Sequence, residues 1–171
     1  VAGKPLSTSD WAVLAFLAEG EAHGFRLASV FGPEGELGQI WKIQRPQVYR
    51  TLEYLVAEGL IRPTRQEEGD AGPPRTVYEV TQDGRQTVKE WLQTPVAHLR
   101  EGRSDLLLKL AFLERSGADH QPLLKAQKKV FTEILEKLEA RLEKATGVDR
   151  MVLLWRVENA RSVLHFLGQL R

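Results

Sequence analysis

Lys42-Ile43-Gln44-Arg45-Pro46-Gln47-Val48-Tyr49-Arg50-Thr51-Leu52-Glu53-Tyr54-Leu55-Val56-Ala57-Glu58-Gly59 is the stretch that decides the fold. Pro46 suits the first turn of a helix, where its missing N–H leaves no bond unmade. From there Val48, Leu52, Leu55 and Val56 recur at helical spacing and make one face apolar. Gly59 supplies a C-terminal stop. The other face carries Arg45, Gln47, Arg50 and Thr51, with Tyr49 at its boundary. Lys42 to Arg50 holds three positive charges and no negative one.

Outward from this helix the pattern changes. Leu60 to Arg65 and Arg75 to Thr81 read as strands, since Thr76, Val77, Tyr78 and Val80 are strand formers. Between them Gln66 to Pro74, rich in Gly, Pro and acid, reads as the long flexible tip of a hairpin. Thr81 caps a further helix to about Leu92, ended by Thr94-Pro95. On the N-terminal side, Ser7-Thr8-Ser9-Asp10 offers cap oxygens to a helix of about three turns that Gly20 stops. A second, shorter helix spans Ala22 to Phe31, with Phe25, Leu27, Ala28 and Phe31 apolar. Residues 32–38 contain three Gly and one Pro and read as a loop. Helix, helix, helix, strand, loop, strand, helix is the order of a winged helix-turn-helix.

Beyond it, a Leu-rich helix over 104–115 is broken by Gly117, and two long helices, about 121–146 and 149–170, follow. The first of these has one row in Leu124, Phe131, Leu135, Leu138, Leu142 and Ala145, and a second in Leu123, Val130 and Ile134. The last helix has two seams, Leu153, Val157, Ala160, Leu164, Leu167 and Val152, Trp155, Val163, Phe166, Leu170. Two seams need two neighbours. The preceding helix covers one; the other falls to the helix that carries Trp11 or to a second copy of the chain. The expected class is therefore mostly α with a small β wing. An N-terminal winged helix-turn-helix domain occupies 6–95, and a C-terminal long-helix dimerisation domain 103–171.

The chain has 171 residues, 42% hydrophobic and 27% charged, with a net charge of +1, too apolar and too neutral for disorder. No apolar run approaches the ~18–20 residues of a membrane span, and no signal-like segment opens the chain. Cysteine is absent, which excludes disulfides, a thiol nucleophile and thiolate metal ligation. A soluble, cytoplasmic protein is expected. His23, His98, His120 and His165 lack metal spacing, and no P-loop, GxGxxG or nucleophile elbow is present. Neither catalysis nor a cofactor is expected.

Gln and Arg read base edges, while Tyr hydroxyls and Arg also hold phosphates. Arg45, Gln47, Tyr49 and Arg50 are accordingly candidate DNA-binding residues on the helix. Arg62, Arg65 and Arg75 bracket the wing, and Arg65 and Arg75 join the set. Glu67, Glu68 and Asp70 repel phosphate, so the strands rather than the tip are expected to make contact. His23 reads as a locally bonded group at a helix start. Trp11 and Trp155 read as packing residues, with Trp91 less clearly buried; a flat aromatic pocket would suit a planar ligand. The acidic tip keeps an alternative open, a winged-helix protein-interaction or ligand-binding module that does not bind DNA.

The chain resembles the PadR-type bacterial transcriptional regulators. The resemblance runs through Leu14-x-x-Leu17, then Ala22-His23-Gly24-Phe25-x-Leu27, then Val48-Tyr49-Arg50-x-Leu52-x-x-Leu55 with Gly59-Leu60-Ile61. It continues in the wing, Gly72-Pro73-Pro74-Arg75-x-x-Tyr78-x-Val80-Thr81-x-x-Gly84, and in Leu106-Leu107-Leu108-Lys109-Leu110. It departs from the family at Gln44 and Arg45-Pro46. The resemblance implies a homodimeric repressor of double-stranded DNA, released by a small aromatic effector. It also implies a phosphate contact at Tyr49 and the basic wing position at Arg75.

Charge divides unevenly. Residues 1–95 hold 10 Lys+Arg against 13 Asp+Glu, and residues 96–171 hold 14 against 10. The half expected to read DNA is the acidic one, so binding has to rest on local placement of a few cations rather than on a global field.

Overall fold

The computed structural model describes residues 4–69 and 72–170. Asp70 of the acidic tip lies outside the described residues. Helix α1 (Thr8–Glu19) opens on a capping box: the Asp10 N–H donates to Ser7 Oγ, and the Ser7 N–H donates back to the Asp10 carboxylate. Strand β1 (Ala22–His23) and helix α2 (Gly24–Val30) occupy what the sequence suggests is one helix. A strand of two residues has no alternation to detect. Its existence comes from pairing with a distant strand, Ala22 opposite Tyr78 and His23 opposite Val77.

A 3-10 turn at Leu37–Gln39 leads to α3 (Arg45–Ala57), with Pro46 in its first turn. Gly59 follows at φ +71°, the left-handed conformation that ends helices and that side chains resist. Strands β2 (Ile61–Gly69) and β3 (Gly72–Val80) then form the wing, in a sheet ordered β1-β3-β2. The pairing continues as far as Gly69 opposite Gly72, which corrects the long loop expected at 66–74. Gly and Pro are tolerated because this far end of the hairpin is exposed on both faces. Helix α4 (Gln82–Gln93) is capped by the Thr81 hydroxyl, which accepts from the Gly84 N–H.

A 3-10 turn (Leu99–Glu101) and a π-helical turn (Gly102–Leu106) run into α5 (Leu107–Ser116). Helices α6 (Gln121–Leu142) and α7 (Gly147–Gln169) pack against each other. The molecule is mostly helical with a small three-stranded antiparallel sheet. Among the described residues no helix is long and apolar enough to cross a membrane.

The first core joins Leu14, Leu17, Leu27, Phe31, Val48, Leu52, Leu55 and Ile61 of the winged helix to Leu108 and Phe112 of α5. The second sits around Leu106, Leu113, Leu124, Phe131 and Leu167. Helix α5 thus gives one face to each. At the seam, Gln127 is wholly buried; its side chain accepts from the Val96 N–H at 2.7 Å and donates to the Val96 carbonyl at 2.9 Å. That bidentate clamp satisfies a backbone amide and carbonyl that no strand pairs.

The tryptophans separate. Trp11 stacks on Trp91 at 5.1 Å and 6°, and Trp91 is buried. Trp11 is therefore engaged by α4 and does not cover the outer seam of α7. Trp155 is not a packing residue within this chain, because its side chain is 71% exposed. The inner seam of α7, Leu153, Val157, Ala160 and Leu167, is buried against α6 as its spacing suggests.

Candidate nucleic-acid interface

Helix α3 turns Val48, Leu52 and Leu55 into the core and leaves Arg45, Gln47, Tyr49 and Arg50 exposed. Its seating comes from α1. Ser9, itself buried, accepts from Gln47 Nε2 at 3.2 Å and from Trp41 Nε1 at 3.0 Å. Asp10 accepts from Thr51 Oγ1 at 3.2 Å, and Tyr54 donates its hydroxyl to the Lys4 carbonyl at 2.6 Å. Thr51 is therefore buried and turned inward, a correction to its expected place on the outer polar face. A threonine in a helix has no marker of direction; its partner lies 41 residues away.

Tyr49 lies on the backbone at the start of α2. A Cβ built on Gly24 would meet the Tyr49 ring at 2.6 Å, so only glycine allows this approach. One residue earlier His23 caps α2, its Nδ1 accepting from the Arg26 N–H at 3.1 Å. That local role is the one its position suggests.

The arginines fall into two groups. Arg62 pairs with Glu79, and Arg65 pairs with Glu21 at 2.6 Å and Glu67 at 2.7 Å. The Arg65 guanidinium in turn holds the Glu21 carboxyl below the usual carboxylate range. Among the described residues Arg45, Arg50 and Arg75 form no ion pair. Arg75 instead lies 4.4 Å from the centre of the Phe25 ring, and Arg45 5.6 Å from the same ring. Phe25 is 46% exposed, contrary to the inward position its apolar spacing suggests. Arg45 and Arg75, 30 positions apart, are brought to one spot by it. Glu67, one of the repelling acids of the wing, is occupied by Arg65.

The outer seam of α7 is only partly open. Val152 and Trp155 are exposed and Phe166 is 38% exposed, whereas Val163 and Leu170 are half-buried against the second core. Val148 and Met151, exposed as well, extend the stripe by one turn at the spacing i, i+3, i+4, i+7. The expected seam began only at Val152, although the same periodicity runs through both.

Residues 13–90, α1 through most of α4, match the Transcriptional regulator PadR-like family. That match covers the winged helix, a little under half of the chain. Among curated relatives, the Bacillus subtilis Negative transcriptional regulator PadR is 28% identical over 138 residues, 80% of this chain and 70% of that protein. The Mycobacterium tuberculosis protein named Probable transcriptional regulator Rv1176c is 29% identical over 96 residues, 56% of this chain. The match spans only about half (49%) of that mycobacterial relative. Among solved structures, Bacillus subtilis PadR in complex with operator DNA superposes with a TM-score of 0.51 at 24% identity, covering 97% of each chain. The fold of this chain, wing and long C-terminal helices included, is thus similar to that of the solved Bacillus protein.

Proposed function

We propose that the protein is a sequence-specific DNA-binding repressor that acts in the cytoplasm as a homodimer on a palindromic operator. Residues 6–95 read the DNA, and residues 103–171 dimerise through Val152, Trp155, Val163, Phe166 and Leu170. The observation that carries the reading is the sorting of the arginines. Arg45, Arg50 and Arg75 flank Tyr49, paired with no carboxylate among the described residues, on the surface where a winged helix meets phosphate. Gln47 sits among them, and Arg65 contributes less because two glutamates hold it. The bare stripe on α7 supports the dimer, and the Bacillus relative is by name a negative regulator.

Release by a small aromatic effector fits one hollow of about 720 Å³, between the winged helix and the turns before α5. Trp11, Trp41, Trp91 and Lys109 line it. Trp41 and Gln47 donate to the same Ser9 hydroxyl, so a ligand that moves Trp41 disturbs a bond that seats α3.

Selection of bound duplexes from a random pool, followed by salt-titrated gel shifts, tests the function. The expected product is a palindrome with half-sites one turn, ~34 Å, apart, and an affinity that falls steeply with salt. Absence of any shift at low salt rejects DNA binding and leaves the interaction module. Repeating the selection with phenolic acids present tests the effector, which should remove the shift.

A further inference from the structure

From the geometry we infer that Phe25 is a positioning residue of the DNA interface, whose ring holds the guanidiniums of Arg45 and Arg75 in place before DNA arrives. The inference rests on the DNA-binding reading above. It starts from an oddity of burial: Phe25, in a short helix that sends Leu27 into the core, is nearly half exposed and belongs to no core. A single exposed apolar side chain needs no explanation by itself. Here, however, two cations from separate elements converge on it, Arg75 of β3 at 4.4 Å and Arg45 of α3 at 5.6 Å.

The backbone beneath the ring is tied on three sides. His23 pairs with Val77 of β3, the strand that carries Arg75. His23 caps the helix that Phe25 belongs to, and the Tyr49 ring lies on Gly24 next door. Phe25 therefore has a fixed relation to the wing and to the recognition helix at once.

The physical benefit is in order and charge. Two guanidiniums near one another repel, and each long side chain loses rotamer freedom when it meets a phosphate. The negative face of an aromatic ring attracts a cation within about 6 Å and offsets both effects. Among the described residues no carboxylate plays this part at Arg45 or Arg75, and a carboxylate would cancel the charge that phosphate needs. A ring orders the cation and leaves its charge uncancelled.

The experiment uses the full chain and a mixed-sequence duplex of about 30 base pairs, because phosphate contacts are independent of sequence. Affinity is measured across a salt series for the wild type, Phe25→Leu, Phe25→Tyr, Arg45→Ala and Arg75→Ala, with thermal unfolding to confirm that each is folded. Each arginine variant should lower the slope of log affinity against log salt by about 0.9, the value of a single neutralised phosphate. Phe25→Leu should weaken binding about 5- to 20-fold with the slope unchanged. Phe25→Tyr, which keeps the ring face, should recover most of that loss.

If Phe25→Leu binds within about two-fold of wild type, or Phe25→Tyr is as weak as Phe25→Leu, the ring orders nothing and the inference is overturned. A slope in Phe25→Leu that falls as in the arginine variants overturns it too. If the wild type and every variant alike fail to bind, the DNA-binding reading is what has failed.

Discussion

Helices α3 and α7 each pack one face inward and leave the other exposed. On α3 the exposed groups are Arg45, Tyr49 and Arg50, cations and a hydroxyl that pair with no acid among the described residues. On α7 they are Val148, Met151, Val152 and Trp155, a stripe of bare hydrocarbon. The two faces call for different occupants. Unpaired guanidiniums remain hydrated until phosphate replaces the water, so they are stable alone and wait for DNA. An exposed apolar stripe is costly at all times and is closed by a like surface. The DNA contact is therefore expected to be reversible and salt-dependent, and the contact between copies lasting.

Breaking the apolar side should have the largest effect. Trp155→Glu is expected to weaken the dimer by about 3–6 kcal/mol, because a central aromatic counts twice across a two-fold interface. Sedimentation reads this, and the subunit should stay folded because Trp155 is exposed and belongs to no apolar core. A variant that remains dimeric at micromolar concentration removes the stripe from the interface.

The next effect lies between the two faces, at Lys109. Its ammonium is buried, donates to the Thr94 carbonyl and lies 5.0 Å from the centre of the Trp91 ring. Burial pulls its pKa down to about 8, with Asp105 and Glu101 opposing. The native state releases this proton near pH 8, whereas the unfolded chain holds it to about 10.5. Between those values the unfolded state binds more protons, so stability rises with pH, by about 2 kcal/mol. Below pH 8 the full cost is carried. Denaturant unfolding from pH 7.5 to pH 10 should reveal the rise, and Lys109→Met should flatten it. An equal rise in Lys109→Met would assign the effect elsewhere.

The smallest effect sharpens the polar side. Arg50→Ala should lower operator affinity about ten-fold and reduce the salt slope by about 0.9. Arg65→Ala, whose guanidinium is already held by Glu21 and Glu67, should stay within about two-fold. Equal losses from the two would show that ion pairing on this surface does not sort the arginines.

Much of the fold is legible in the residues. Helix α3 announces itself through Pro46, the spacing of Val48, Leu52 and Leu55, and Gly59. The two seams of α7 can be counted from residue spacing alone. Local signals of this kind act over one or two turns. What stays hidden depends on partners distant in the chain. Glu21 meets Arg65 from 44 residues away, and Thr51 turns to Asp10 from 41. Strand β1 exists only through β3, and Phe25 faces outward to where Arg45 and Arg75 converge on it. Gln127 looks like an ordinary polar helix residue until Val96 is seen beside it. The resemblance in the winged helix brings the fold within reach, but it carries no information on which arginines are already engaged.

Leu108 and Phe112 lie in the same core as Leu14 and Leu52, although they come from beyond residue 103. The winged helix is thus not a detachable module. A fragment ending at residue 95 would leave an open gap where two large side chains belong, and large-to-small losses in a core cost about 2–5 kcal/mol each. Grafting this winged helix onto another dimer would have to carry α5 along. The same helix packs into both cores, so in the proposed dimer the separation of the two α3 helices is expected to be inherited from α5 and not from a linker.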